Sequence, residues 1–502
     1  MELEKKTTSK PHFEHSLMVR PLVLCLLVAI IGIIPARIIG YGYMPGDDAN
    51  RHAAKVVSGK DWDEILVLRD DVKMDSHPGW HAILNIIYKA TNYSTDHLVD
   101  ISVISLFILF SLVPLMLLDR PEAWPISMLT FVIAGPGLLG RLLLGRPYIF
   151  TMSVVLVLCF LWPKLRSKKL PYKFLIFLTL LMAASTWIHC AWYLLALPVI
   201  CFFMAREWRA GILVSFSTII GIVLGASFTG HPYLLLKQNI LHVIHAFGSH
   251  DFQHMLVGEF QSSRGDVLMV MVVAIILAWR KMRGSWNSKI IDNPVFILAV
   301  SGWALGFVSN RFWLDWGMTA TIAWMSLEYQ EVLKEKINHL SWRRVLITIG
   351  ILGTLYIAVT NDSGRRWTHN LSIKYLHLDN PDHALWLPDP GGIVYSNSMR
   401  IFYQTFLKNP HAPWRYILGF EPIIMPPEDL KIYRNIQRNF GHFKTFEPWV
   451  KKMKPEDRLI INHTPDKAPK IQGLEWHLVT GNVWIGRLPR DSKEGAKEQN
   501  NK

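Results

Sequence analysis

Cysteine is scarce in this chain, and its placement excludes more than it offers. The 502 residues include four, Cys25, Cys159, Cys190 and Cys201, and all fall inside apolar runs. In that setting they read as small apolar packing residues, not as a disulfide framework or thiolate metal ligands. Charge is thin as well: 18% of residues are charged and 51% are hydrophobic, an imbalance that points away from an ordinary soluble domain. The formal net charge is +14, yet no long basic stripe with interleaved aromatics is present, which argues against a nucleic-acid partner. No internal repeat is evident. The first apolar segment lacks a small-residue cleavage site and is expected to remain as an anchor.

What the sequence has in abundance is apolar runs of bilayer length. They recur from residue 17 to residue 360 and predict a polytopic α-helical membrane protein of about eleven transmembrane helices. The expected spans are roughly 17–42, 98–118, 124–144, 147–162, 173–189, 191–204, 210–229, 266–279, 294–309, 312–328 and 344–360. The stretch 173–205, with "TWIHC" at its middle, reads either as two short helices or as one long one. Lys and Arg then decide the orientation. The N-terminus (1–16) and the loops "PKLRSKKLPYK", "REWR", "RKMRGSWNSK" and "KEKINHLSWRR" all fall on one side when the count is eleven. The positive-inside bias makes that side cytoplasmic. Loops 43–97 and 230–265, and everything after 361, are then extracytoplasmic, in a bacterial inner membrane with the tail in the periplasm. An endoplasmic-reticulum membrane with a luminal tail has the same geometry.

The tail changes character. "GGIVYSNSM" and "WRYILGF" read as short buried strands, "RIFYQTFLKN" and "PPEDLKIYRNIQRNF" as amphipathic helices, and "LEWHLVTGNVWIGRLP" as a hairpin around Gly481. A small α/β domain over 361–488 is expected. Residues 489–502 are polar and expected to be disordered.

Function is written most densely just past the first span, in "GDDANRHAAKVVSG" (46–59). A helix that opens at Asp47 or Asp48 and stops at Gly59 places both carboxylates at its positive end. Arg51 and His52 follow one turn on and share their face. Such a cluster suits a general base, or a site for a divalent cation, and is equally the pattern of an ordinary capped helix. Later in the loop stands "MDSHPGWHAIL", with His77 and His81 four residues apart. A shared metal would need both on one helix, and Pro78 disturbs that register.

These two segments resemble motifs of the lipid-linked-sugar transferases of the GT-C class, whose bearers include the protein O-mannosyltransferases and the aminoarabinose transferases of lipid A. "GDDANRHA" is similar to their D-E-x-x-R-Y-A pattern after the first span, and "SHPGWHAIL" looks like their K/H-P-P-L-x-x-W segment. The resemblance implies a GT-C-like fold in which Asp47 takes the catalytic acidic position, Asp48 the second acid and Arg51 the arginine. His77 takes the place of the residue that contacts the lipid phosphate. Two positions depart from the pattern: Gly79 replaces the second proline, and His52 replaces the aromatic after the arginine.

A polyprenyl-phosphate donor needs cations where spans leave the bilayer. "GRLLLGRPY" offers Arg141 and Arg146, and "SNRFWLDWG" offers Arg311 with Asp315 one turn on. Headgroup snorkelling and a structural ion pair are the bland alternatives. The 230–265 loop carries His242, His245, His250 and His254 and reads as an interfacial amphipathic helix that covers a cavity. The leading expectation is a membrane glycosyltransferase that moves a sugar from a polyprenyl-phosphate donor to a glycan, lipid or protein acceptor. A polysaccharide polymerase or ligase, and a non-enzymatic lipid or sugar transporter, are the alternatives. The sequence requires no cofactor, and leaves room for a divalent cation at Asp47 and Asp48.

Overall fold

In the computed structural model, residues 18–167, 171–247, 259, 261–337 and 341–489 are described. The N-terminal 1–16 segment, the 489–502 tail beyond its first residue, and His250 and His254 lie outside them, as does the side chain of His245.

Helix α1 (Val19–Ile39) is followed by α2 (Asp48–Ser58), α3 (Pro78–Thr91), α4 (Thr95–Leu117), α5 (Ala123–Ala134), α6 (Gly137–Leu142) and α7 (Tyr148–Leu165). Next come α8 (Tyr172–Ile188), α9 (Ala196–Met204), α10 (Trp208–Ser227), α11 (Pro232–Phe247), α12 (Val267–Met282) and α13 (Pro294–Gly306). A π-helical turn (Phe312–Gly317) leads into α14 (Met318–Lys336), and α15 (Trp342–Thr360) closes the apolar part. Among the described residues, five helices (α1, α4, α7, α10 and α15) are long and apolar enough to cross a membrane, and shorter apolar helices accompany them. The chain is an integral membrane protein. The 173–205 stretch is two helices, separated by His189–Ala191 and a 3₁₀ turn over Trp192–Leu195.

The bundle is held by matched apolar faces and, at one end, by buried charge. Helix α7 is enclosed, with Ile149, Val155, Leu156 and Leu158 removed from solvent. The outer faces of α8, α10 and α12 keep Ile176, Phe216, Ile220 and Ile275 exposed, as a lipid-facing surface requires. At the end remote from α2, Arg344 of α15 grips Glu122 at the start of α5 through contacts of 2.6 and 2.8 Å. Both side chains are 1% exposed.

The tail forms one five-stranded sheet. Strands β1 (Ile393–Tyr395), β2 (Arg415–Tyr416), β3 (Arg458–Asn462), β4 (Glu475–Thr480) and β5 (Val483–Arg487) are ordered β2-β1-β3-β5-β4. The β2–β1–β3 side is parallel, and β3–β5–β4 is antiparallel. The hairpin at Gly481 is β4–β5, and β1 and β2 lie in the expected segments. Strand β3, in "RLIIN", was not read from the sequence: its apolar run is short and shows no alternation. Helix α16 (Met399–Lys408) crosses from β1 to β2, and α17 (Pro427–Arg438) and α18 (Glu447–Lys452) lie between β2 and β3.

The tail and the first loop are one packed body. Ala54, Ile65 and Leu66 share a buried cluster with Val394, Phe402, Tyr416 and Ile460. Leu66 pairs with Tyr416 beside β2, and the Val67 N–H donates to the Tyr416 carbonyl at 3.0 Å. The C-terminal unit is thereby clamped over the end of the bundle that carries α2.

Candidate active site

Helix α2 begins and ends at the expected residues. Asp47 is its N-cap residue, Asp48 its first residue, and Gly59 ends it with φ +66, a conformation that costs glycine little. The Asp47 carboxylate does not cap its own helix. It reaches instead to Arg146, in the short connection between α6 and α7, with Nε–Oδ1 at 3.1 Å and Nη2–Oδ2 at 2.5 Å. Asp48 accepts from Arg51 Nε at 2.7 Å and from the Tyr403 hydroxyl at 3.0 Å, and it lies 3.4 Å from Arg146. The Arg51 guanidinium lies over the Phe420 ring at 4.0 Å.

A second set of charges continues this one. Glu259 bonds both Arg141 and Arg146. Arg141 Nε also donates to Asp315 at 2.8 Å, and Arg311 approaches Asp315 at 3.3 Å and His189 at 3.2 Å. The π-helical turn sets Arg311 and Asp315, and such turns recur at functional sites. Four segments distant in sequence thus deliver four carboxylates and four guanidiniums to one place.

Burial and neighbours separate the acids. Burial raises the Asp47 carboxyl above the usual carboxylate range; Arg146 opposes this without cancelling it, and Asp48 and Glu259 add to the rise. Burial also disfavours ionised Asp48, but Arg51 and Arg146 outweigh it and hold that carboxyl below the usual range. Glu259 is likewise held low, because Arg146 and Arg141 overcome the cost of burial.

The histidines form their own chain. His77 is the N-cap of α3, not a helical residue, and its ring centre is 6.5 Å from that of His81. The i, i+4 sharing of a metal by these two is not formed. His81 Nε2 instead meets His52 Nδ1 at 2.8 Å, and its Nδ1 bonds Asp75. His77 stacks on His189 with ring centres 5.7 Å apart, and burial, then Arg51, pushes its imidazole down to about 3. Among the described residues, no group of three or more His, Cys, Asp or Glu side chains is arranged to hold a metal ion. Asp47 and Asp48 are each taken up by a guanidinium.

A cavity of about 120 Å³ opens among Asp48, Arg51, His77, Arg146 and Arg311. Asp47 stands behind Arg146 and does not line it. Of the residues singled out in the sequence, Asp47, Asp48, Arg51, Arg146, Arg141, Arg311, Asp315 and His77 belong to this one assembly, while His52 and His81 lie behind His77. Glu259, Tyr403, Phe420, Glu421, His189 and Tyr193 also contribute and were not singled out. Glu259 offered one signal: an acid in a loop already placed on the same side as Arg141 and Arg146. The departure at Gly79 has a steric cause, since a Cβ there would fall 2.6 Å from the Trp187 ring, which leaves no room for proline.

The fold is similar to that of solved structures of low sequence identity. The crystal structure of ArnT from Cupriavidus metallidurans bound to undecaprenyl phosphate overlays with a TM-score of 0.56 at 12% identity, over 94% of this chain and 97% of that one. The apo structure of the same ArnT overlays with a TM-score of 0.54, also at 12% identity and with the same coverage. No protein-family profile matches the chain, and no curated protein matches it either. The likeness is one of fold.

Proposed function

We propose that this protein is a membrane glycosyltransferase that moves a sugar from a polyprenyl-phosphate-linked donor to an acceptor on the extracytoplasmic side. The observation that carries the reading is one ionic cluster that joins the Asp47–Asp48 pair to Arg146 and, through Glu259 and Asp315, to Arg141 and Arg311; Asp48, Arg146 and Arg311 line a cavity beside it, within a fold shared with a protein crystallised with undecaprenyl phosphate.

The topology supports it. Loops 43–97, 140–148, 230–265 and 309–317 supply this cluster and so belong on one side. Glu122 with Arg344 and Arg280 with Glu328 pair near the basic loops. Eleven spans, with the N-terminus cytoplasmic and the 361–488 unit periplasmic, account for that division.

In the proposed reaction the donor phosphate lies among Arg141, Arg146 and His77, with Arg311 beside them. Its isoprenoid chain extends along an apolar cavity of about 280 Å³ between α12, α13 and α14, lined by Val273, Trp303 and Trp313. Arg146 turns from Asp47 to the phosphate and leaves that carboxylate free to accept a proton. Asp47 takes the proton of an acceptor hydroxyl or amine, and the acceptor atom bonds to the anomeric carbon. The bond from that carbon to the phosphate oxygen breaks, and its electron pair leaves with the polyprenyl phosphate, where the guanidiniums stabilise the charge. Direct displacement inverts the anomeric centre. Asp48 stays ionised and anchors Arg51. Purified protein in nanodiscs, given a polyprenyl-phospho-sugar, should yield free polyprenyl phosphate and an acceptor heavier by one sugar. Transfer of a whole glycan, or movement of the lipid with no covalent product, contradicts the reading.

A further inference from the structure

A second and larger cavity, about 620 Å³, adjoins the first. The two share Arg51, Ser76, His242 and Phe420 in their walls. Its remaining lining comes from the first loop (residues 55–75), from Gln238 on α11, and from Arg415 and Ile424 of the C-terminal unit. Among the described residues, none of it comes from an apolar segment of bilayer length. Whatever enters does so from water.

Its chemistry is specific. Trp62 and Phe420 present two half-buried rings with centres 5.0 Å apart, inclined at 63°. Trp62 Nε1 donates to Asp75 Oδ1 at 3.3 Å, which fixes the indole plane. Around the rings stand the carboxylates Asp61, Asp63 and Asp70 and the cations Lys73 and Arg415. Aromatic faces beside side chains that accept and donate hydrogen bonds match the alternating C–H faces and hydroxyls of a pyranose. The volume lies in the range of organic-ligand sites, about 300–1,000 Å³.

Two other acceptor classes fit less well. An acyl-chain acceptor needs an apolar wall open to the bilayer, and this cavity has none in its lining. A peptide that binds by strand addition needs an unpaired strand edge, and the β2 edge is already occupied by Leu66 and Val67. Two side-chain contacts stand between the cavities: Arg51 over Phe420, and the ion pair of His242 with Glu421.

On the transferase reading above, we infer that this second cavity binds a carbohydrate acceptor, whose reacting hydroxyl passes Arg51 and Phe420 to reach the Asp47–Asp48 pair. The test uses the full-length protein in nanodiscs on an array of defined neutral and anionic oligosaccharides, with donor cleavage measured separately on the wild type. Wild-type protein should retain a subset of the glycans. Trp62→Ala should lower retention at least about tenfold, whereas Trp62→Phe, which keeps an aromatic face, should stay within about threefold. Unchanged retention by Trp62→Ala overturns the inference. A wild type that cleaves donor and glycosylates a lipid or protein, yet retains no oligosaccharide, overturns it too. Retention of glycans without any donor cleavage leaves the carbohydrate site standing and removes the transferase reading instead.

Discussion

Arg146 and Asp47, 99 residues apart in the chain, are joined by two contacts, the shorter at 2.5 Å. Each is what the other's chemistry needs removed. While Arg146 is bound, Asp47 is a poor base. While Asp47 and Glu259 are bound, Arg146 is a poor phosphate ligand. In the proposed cycle the donor phosphate breaks this pairing, so acceptor activation follows donor binding.

That coupling sets the pH dependence of transfer. A base must be ionised to work, and burial holds Asp47 above the usual carboxylate range. The rate should therefore fall as pH falls through a value above the ordinary aspartate figure of about 3.9. Single-turnover rates from pH 4 to 8 test this, and an acid limb at or below that ordinary figure contradicts it.

Glu259 sits between Arg141 and Arg146, where the donor phosphate is proposed to bind. It competes with the donor for the same guanidiniums. Glu259→Gln should tighten donor binding by about tenfold, the scale of one charge-assisted hydrogen bond. Equilibrium binding of a polyprenyl phosphate in nanodiscs measures it, and weaker binding by the variant would show that Glu259 orders the arginines instead.

The contact between α11 and the C-terminal unit should loosen at high pH. Burial alone would lower the His242 imidazole, but Glu421 outweighs it and the net value is raised; Glu421 is lowered, because His242 outweighs the cost of its burial. A raised cation contributes fully below its ordinary value, about 6.5, and is lost as pH climbs through the raised one. The lowered carboxylate is lost only in acid, as pH falls through its own value. Hydrogen exchange in residues 232–244, corrected for the intrinsic rate, should thus rise from pH 6 to pH 9. In His242→Gln the corrected exchange should not change with pH.

Arg344 and Glu122 are a buried pair whose partners need one another. Arg344→Met alone should destabilise the protein by about 3–5 kcal/mol, because the buried Glu122 carboxylate then keeps only its longer contact, 3.6 Å, with Arg120. Adding Glu122→Leu should recover most of that loss. Thermal unfolding in detergent distinguishes the single from the double variant, and equal midpoints for the two would contradict the account.

What could be read from sequence was what local physics decides. Asp47, Asp48 and Gly59 mark the ends of α2, because acids at a helix start and a left-handed glycine at its end are short-range preferences, even though the Asp47 carboxylate itself turns to Arg146. The Lys and Arg of the loops sorted Arg141, Arg146 and Arg311 onto the side of Asp47. Pairings across long separations were out of reach: nothing within the 140–148 loop names Asp47 as the partner of Arg146. Nor could Leu66 be foreseen beside β2, since two residues of main-chain pairing leave no pattern. The His77–His81 spacing carried its own warning in Pro78, which starts the helix after His77 and leaves His81 to meet His52.

The most direct test combines Asp47→Asn with Asp48→Asn in one protein. Release of polyprenyl phosphate from a labelled polyprenyl-phospho-sugar would be followed in a single turnover, with donor binding measured in parallel. A loss of at least about a hundredfold in rate, with donor still bound, is the predicted result. Transfer at the wild-type rate without either carboxylate would contradict the account.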